Sequence, residues 1–388
     1  MFSLSTDPIL ALAEPEILRD PYPAYGWLRE TQPVFWYAPL DSWILTRHAD
    51  CVEVMRDNVR FGADWRRIGE ELPPHAVSIQ TLDPPEHTTV RRLLMDAMRA
   101  QDDAATLRML AERTRDLLGS LAGRASFDFV TEFAEPLALS TVMAYLGVPA
   151  PDPSWFIPAS NAIADGMDAG LWPERAVAAK DGRIQLADLM DSWLADPPPA
   201  GVIGMVARHA NAGGVDREVL ANTLRVLAHA GYASASKLLG LAADALLSRP
   251  GQLGAWAQAD PSLAVDEIVR FTSPVQAMAR ACVQDTEIGS APVKAGQAVT
   301  MMLGAANRDP QRFSSPDTLQ LDRRPNPHLG FGRGSHACLG SPLAMAQAKV
   351  VLGVLSTDFP AARAVGETSF RPNLTLRGLD RLEVTLQP

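Results

Sequence analysis

Along most of the chain apolar residues recur at spacings of three and four, the period of helices with one buried face. AATLRMLAERTRDLLGSLAG, residues 104–123, carries the pattern and stops at glycine. Short stretches read instead as strands of small sheets, namely PVFWYA (33–38), SWILTR (42–47) and LEVTLQ (382–387). The proline clusters PAPDPS (149–154) and DPPPAG (196–201) read as inter-helix loops, because helical pattern resumes on both sides. There is no internal repeat. The expected architecture is mainly α with small β-sheets, and by length alone two or three domains remain open.

The longest helical signal starts at Asp216, a plausible N-cap after AGG, and runs to about Ser248 before Pro250. At 1.5 Å per residue it spans on the order of 50 Å, enough to cross the molecule. Its middle, LAHAGYASASKLLG (227–240), concentrates small residues at Ala230, Gly231, Ala233, Ser234 and Ala235. Small side chains let another helix or a flat ligand approach the backbone, and the pattern alone leaves both open.

Composition narrows the possibilities. With 47% hydrophobic residues in 388, a large core forms without covalent staples. A net charge of −10 and the lack of any basic run argue against nonspecific nucleic-acid binding. The opening stretch MFSLSTDPILALAEPEILRD has no basic segment followed by an apolar one, so no secretory signal is expected. No run of about eighteen apolar residues predicts a membrane span. Cys51, Cys282 and Cys338 are odd in number and far apart, which fits a reducing cytosol better than a disulfide framework.

Candidate chemistry gathers at HLGFGRGSHACLG, residues 328–340, where Cys338 sits among glycines and histidines. A buried thiolate needs compensation, and backbone amides at a helix start supply it. The segment after Cys338, with Pro342 in its first turn, has the pattern of such a helix. Zinc finds no Cys-x-x-Cys here.

FGRGSHACLG resembles the haem-binding signature of the cytochrome P-450 family. DEIVR resembles the family's Glu-x-x-Arg helix, here Glu267 and Arg270, which Arg323 in LQLDRRPNPH would complete as a buried structural cluster. DPPEHTTVRR (83–92), AANRDP (305–310) and DPYPAYGWLRE (20–30) also match, so the resemblance covers essentially the whole chain in order and implies a single domain over residues 1–388. It implies the cytochrome P-450 fold, with haem b between the long distal helix and the cysteine-loop helix. By family position Cys338 would be the axial ligand of haem iron, a ligation that favours O–O cleavage. His87, Arg91, Arg280 and His336 would meet the propionates, and Phe331 would pack beside the sulfur while His328 braces the loop.

One segment departs from the family. Where most members read Ala-Gly-x-acid-Thr-Thr, this chain reads AGYASA (230–235), with Ala233 in place of the acid and Ser234 in place of the first threonine. The acid and threonine help deliver protons in the family, so another route is needed here. His229, at i−4 to Ala233, shares its helix face. The resemblance would point it into the distal pocket, where it would titrate near neutral pH and donate protons or hold an acidic substrate; the other reading is a core histidine.

The implied function is a haem-thiolate monooxygenase, oxidising a small organic substrate in natural-product biosynthesis. A second reading, raised by Ala233, is haem chemistry other than monooxygenation: peroxide use, coupling, dehydration or nitrogen-atom transfer. A third is a non-catalytic partner protein, which Cys338 disfavours. Pocket walls are expected from the 61–80 loop with Trp65, Arg66, Arg67 and His75, from 155–175 with Trp155, Phe156 and Met167, and from 275–278 and 374–379. Arg66 and Arg67 either attract a carboxylate or form solvated pairs. A ferredoxin would supply electrons and dock on Arg92, Arg99 and Arg333, the protein being a cytoplasmic monomer with no nucleic-acid or membrane partner.

Overall fold

In a computed structural model residues 7–387 are described, with 210–213 as backbone only. The first six residues of the opening stretch lie outside it. Helix α1 spans Glu86–Arg99, α2 Asp103–Leu121, α3 Glu135–Leu146, α4 Pro153–Asp165, α5 Arg175–Ala195, α6 Gly201–Gly213, α7 Arg217–Leu247, α8 Pro261–Thr272 and α9 Ser341–Asp358. Aspartates start several of them. Asp102, Asp152, Asp216 and Asp260 each turn a carboxylate onto free amides of the first turn, and Pro153 and Pro261 follow where no amide hydrogen is needed. The long helix thus begins after Asp216 and ends before Ser248, as its pattern predicts.

Strands β1 (Val34–Tyr37), β2 (Ser42–Leu45), β3 (Phe61–Gly62), β4 (Ala277–Cys282) and β5 (Ala298–Met302) form one sheet in the order β1-β2-β5-β4-β3. Only β2 and β5 run parallel; the other pairs are antiparallel. The C-terminal strand Glu383–Thr385 lies between Phe127–Asp128 and Arg363–Ala364 in a smaller sheet.

Helix α7 belongs to two cores. Its first half, Leu220 to Ala235, packs with apolar residues of α1, α3, α4, α5 and α6, among them Leu94, Val142, Phe156, Met190 and Val206. Its second half, Leu238 to Leu247, packs instead with α8 and α9 through Val265, Ile268, Val351 and Leu355. No described helix is long and apolar enough to cross a membrane.

Candidate active site

The loop before α9 is shaped by glycines with no freedom to be anything else. Gly332 and Gly334 have φ of +65° and +74°, and a Cβ on Gly334 would run into the Met55 carbonyl oxygen. The turn closes through Cys338 N–H donating to the Phe331 carbonyl at 2.8 Å. Gly340 then caps α9, and Pro342 occupies its first turn as expected. Burial pushes the Cys338 thiol up, opposed by the amides of Gly340 and Ser341 and by Arg91. Yet Cys338 is exposed. The residue is thus accessible although many atoms surround its thiol. Among the described residues no group of three or more His, Cys, Asp or Glu is placed to hold a metal ion.

Basic groups gather beside the sulfur. The rings of His87 and His336 lie 4.2 Å apart. His87 is 1% exposed, its Nε2 has no partner among the described residues, and burial, with His336 and Arg91, lowers its pKa to about 4. Arg91, on the next turn of α1, has no carboxylate within ion-pair distance among the described residues; neither does buried Arg280 on β4, which bonds only the Ala279 carbonyl. Burial lowers the pKa of both guanidiniums. Asp83, which the sequence reading did not single out, is the acid of this group. It accepts from Arg67 at 2.8 Å and lies 3.4 Å from His336 Nε2. Burial raises the Asp83 carboxyl, but His336, Arg67 and the amides of Ala63 and Asp64 outweigh it and hold the group well below the usual range.

Behind the loop stands the expected charged cluster. Glu267 is 0% exposed and accepts from Arg270 Nε at 2.7 Å and Nη2 at 2.8 Å, from Arg323 Nε at 2.9 Å and from the Gln320 amide at 2.9 Å. Arg270 Nη1 also reaches the Asn307 carbonyl, while Asn307 Oδ1 receives the Leu329 amide at 2.7 Å. The cluster therefore tethers the start of the cysteine loop. His328 lies 3.2 Å from Asp266, and its carbonyl accepts from Arg333 at 2.7 Å.

On α7, Leu227, Ala230, Gly231 and Ser234 are partly exposed amid a buried helix, a stripe at three and four spacing. Ser234 lies on this stripe and its hydroxyl donates to the Ala230 carbonyl at 2.7 Å. Ala233 is 2% exposed and packs in the core. His229 corrects an expectation. Its Nδ1 pairs with Ser160 of α4 at 2.7 Å, it is 8% exposed, and burial, with Lys237 and Arg183 nearby, lowers its pKa to about 3. Burial, with two cations nearby, disfavours the imidazolium there and fits the reading of a core histidine.

The expected walls partly converge. Asp168 accepts from the Leu374 amide and the Thr375 hydroxyl, both at 2.7 Å, and Gln276 N–H donates to Thr375 at 2.9 Å, joining 155–175, 275–278 and 374–379. From the 61–80 loop, the carbonyls of Pro74 and Val77 accept from Asn222 of α7. Trp65 begins a short helical turn, Trp155 and Phe156 stack edge to face, and Met167 is exposed. Arg66 and Arg67 are engaged by Asp64 and Asp83, which leaves neither free for a substrate carboxylate.

These residues suit an iron porphyrin. An exposed yet crowded thiol faces the amides of a helix start, unpaired cations and an orphaned imidazole nitrogen stand near it, and α7 offers a stripe of small side chains. Such a site in a mainly helical fold defines a haem-thiolate oxidoreductase. The family description for cytochrome P450 matches residues 262–360. Vitamin D(3) 25-hydroxylase of Pseudonocardia autotrophica is 33% identical over 386 residues, covering 95% of this chain and 94% of that protein. Pentalenic acid synthase of Streptomyces avermitilis is 30% identical over 388 residues, with 94% of each covered. A Bacillus megaterium cytochrome P450 solved in complex with testosterone superposes with a TM-score of 0.87 at 25% identity, over 95% of this chain and 98% of that one. The chain belongs to the cytochrome P450 family, whose members bind haem b and act as oxidoreductases on small molecules with the help of redox partners.

Proposed function

We propose that the protein is a monooxygenase that tailors a small apolar natural product. The single observation that carries this is a thiol exposed within the fold, at the start of α9, beside cations with no carboxylate of their own. The relatives support the substrate class, since one is named for a vitamin D hydroxylation and another for pentalenic acid synthesis. Bound haem supplies the redox-active iron at which dioxygen is activated. Cys338 holds it as a thiolate, with the amides of Gly340 and Ser341 offsetting the sulfur's charge and Phe331 limiting water beside it. His87, Arg91, Arg280 and His336 bind the propionates, whose charges replace the missing partners of these groups. Ser234 holds a proton at Oγ on the distal side.

His229 serves as a positioning residue through Ser160, because its ring stays neutral. Electrons come from a ferredoxin. Its docking face includes exposed Arg92 and Arg99, while Arg333 is half-buried against the His328 carbonyl and contributes less. The chain acts as one domain and as a cytosolic monomer. Ala233 favours a second reading, haem chemistry without delivered protons, such as peroxide use.

The test has two parts. The reduced protein with carbon monoxide is expected to give the strongly red-shifted thiolate band, and Cys338→Ser to lose it; a wild type without the band removes the assignment. Product analysis over a substrate panel then separates ferredoxin-driven from peroxide-driven turnover, the latter alone supporting the second reading.

A further inference from the structure

The centre of α7 holds a second titratable side chain that the site so far leaves without a role. Lys237 lies one turn beyond Ala233, so His229, Ala233 and Lys237 form a stripe at i, i+4 and i+8, and Lys237 is at i+3 from Ser234. It is 6% exposed, in a chain with only four lysines. Its stem is packed so closely by the turn at Gly378 that a Cβ there would strike Lys237 Cγ.

Its ammonium donates to Asn161 Oδ1 of α4 at 2.9 Å, and Asn161 Nδ2 donates in turn to Glu135 Oε1 of α3 at 3.3 Å. The amide thus lies between the cation and the buried carboxylate, which form no direct ion pair among the described residues. A fully paired buried salt bridge locks its proton in place. An ammonium whose only bonded partner is a neutral amide is freer to release one.

A surface cleft lies near the unit. Asp165 and Arg371, 3.3 Å apart and close enough to Lys237 to bias its charge, line a surface cleft of about 340 Å³ together with Arg175, Phe370 and Asp380. Towards the helix centre, the Tyr232 hydroxyl beside Glu135 and His229 Nε2 are buried without a partner among the described residues. Lying at i and i+3, they can share one bridging water. Burial lowers the Lys237 ammonium to about 8, with Arg371 adding to the fall and Glu135 and Asp165 opposing it.

We propose that Lys237, bridged by Asn161 to Glu135, is the proton source of the distal helix and replaces the acid absent at Ala233. In each delivery an Nζ–H bond breaks, the proton leaves towards the Ser234 hydroxyl and the electron pair stays on nitrogen. A proton from water in the cleft beside Asp165 and Arg371 restores the ammonium. The proposal rests on the monooxygenase reading, since only that reading needs delivered protons.

The test uses the haem-loaded full chain with lysine labelled at Cε with carbon-13. Four resonances are expected, and Lys237→Met identifies one of them. Lys237 is expected to titrate near pH 8. With ferredoxin electrons, Lys237→Met should keep the carbon monoxide band, form product roughly 10²-fold more slowly, the low end for the loss of one positioned proton donor, with less product per electron, and show an altered solvent isotope effect. Asn161→Leu keeps the lysine; it should lower the titration midpoint and product per electron together. A Lys237 signal with no midpoint near pH 8 overturns the proposal, as do Lys237→Met and Asn161→Leu proteins whose product yield and isotope effect match the wild type. A wild type that forms product only with peroxide overturns the monooxygenase reading and this proposal together, whereas wild-type turnover retained in both variants overturns this proposal alone.

Discussion

Replacing Glu267 by alanine tests whether the buried charge cluster or simple packing holds the cysteine loop. The carboxylate accepts four bonds of 2.7–2.9 Å and a weaker one from Asn326 at 3.3 Å. Its loss leaves two guanidiniums, 0% and 5% exposed, that keep carbonyl partners at Asn307, Pro316, Thr318, Ser314 and Ser315 but lose their only carboxylate. Removing one partner from a buried, hydrogen-bonded charge group costs about 3–5 kcal/mol. With an unfolding entropy of about 2.1 cal/mol/K per residue, a chain of 388 residues has roughly 0.8 kcal/mol per kelvin, so the midpoint should fall by roughly 4–6 °C. Calorimetry of the haem-loaded protein reads the midpoint, and the carbon monoxide band reads the loop. That band should weaken too, because Arg270 reaches the loop through Asn307. Glu267→Gln keeps the volume and removes only the charge, so it should fall between wild type and alanine. Asp285→Ala, which breaks the exposed pair with Lys294, should leave the midpoint unmoved. A Gln variant as stable as wild type would refute the electrostatic account and leave a cavity effect in its place.

Two further outcomes follow from local geometry. Gly334→Ala meets both a left-handed φ and the Met55 carbonyl, so the protein should fold yet lose most of its thiolate band; an unchanged spectrum would show that the loop adjusts freely. Lys237 should couple stability to alkaline pH. Its folded pKa of about 8 lies below the 10.5 of an ordinary lysine, so burial of the ammonium destabilises the fold by roughly 3 kcal/mol below pH 8, and this penalty fades as pH rises towards 10.5. In guanidinium titrations Lys237→Met should gain on the wild type most at pH 7 and least near pH 10; a gap independent of pH would contradict the depressed pKa.

What the chain disclosed in advance was local. Asp216 and Ser248 bracket α7 because a cap and a nearby proline act within a turn of themselves, and Pro342 marked the first turn of α9 by the same local logic. The cysteine loop was legible because its glycines serve the loop's own backbone. Asp83 was quoted within a motif but passed over, since its partners Arg67 and His336 come from other segments. The Lys237–Asn161–Glu135 unit was hidden for the same reason, for it joins three helices and only folding shows the partners. One signal was present, a lysine in the middle of a helix otherwise built of small and apolar residues. The face and spacing of His229 are readable from sequence, whereas its Ser160 partner on another helix is not.

The division of α7 between two cores has an engineering consequence. On the function proposed above, the half that meets α8 and α9 backs the helix that follows the cysteine loop, while the half that meets α3, α4 and α5 borders the substrate. Remodelling on the α4 and α5 side can alter which molecule is accepted while the iron-binding end keeps its geometry, so libraries for new selectivity belong before Ala235 and stabilising changes after it.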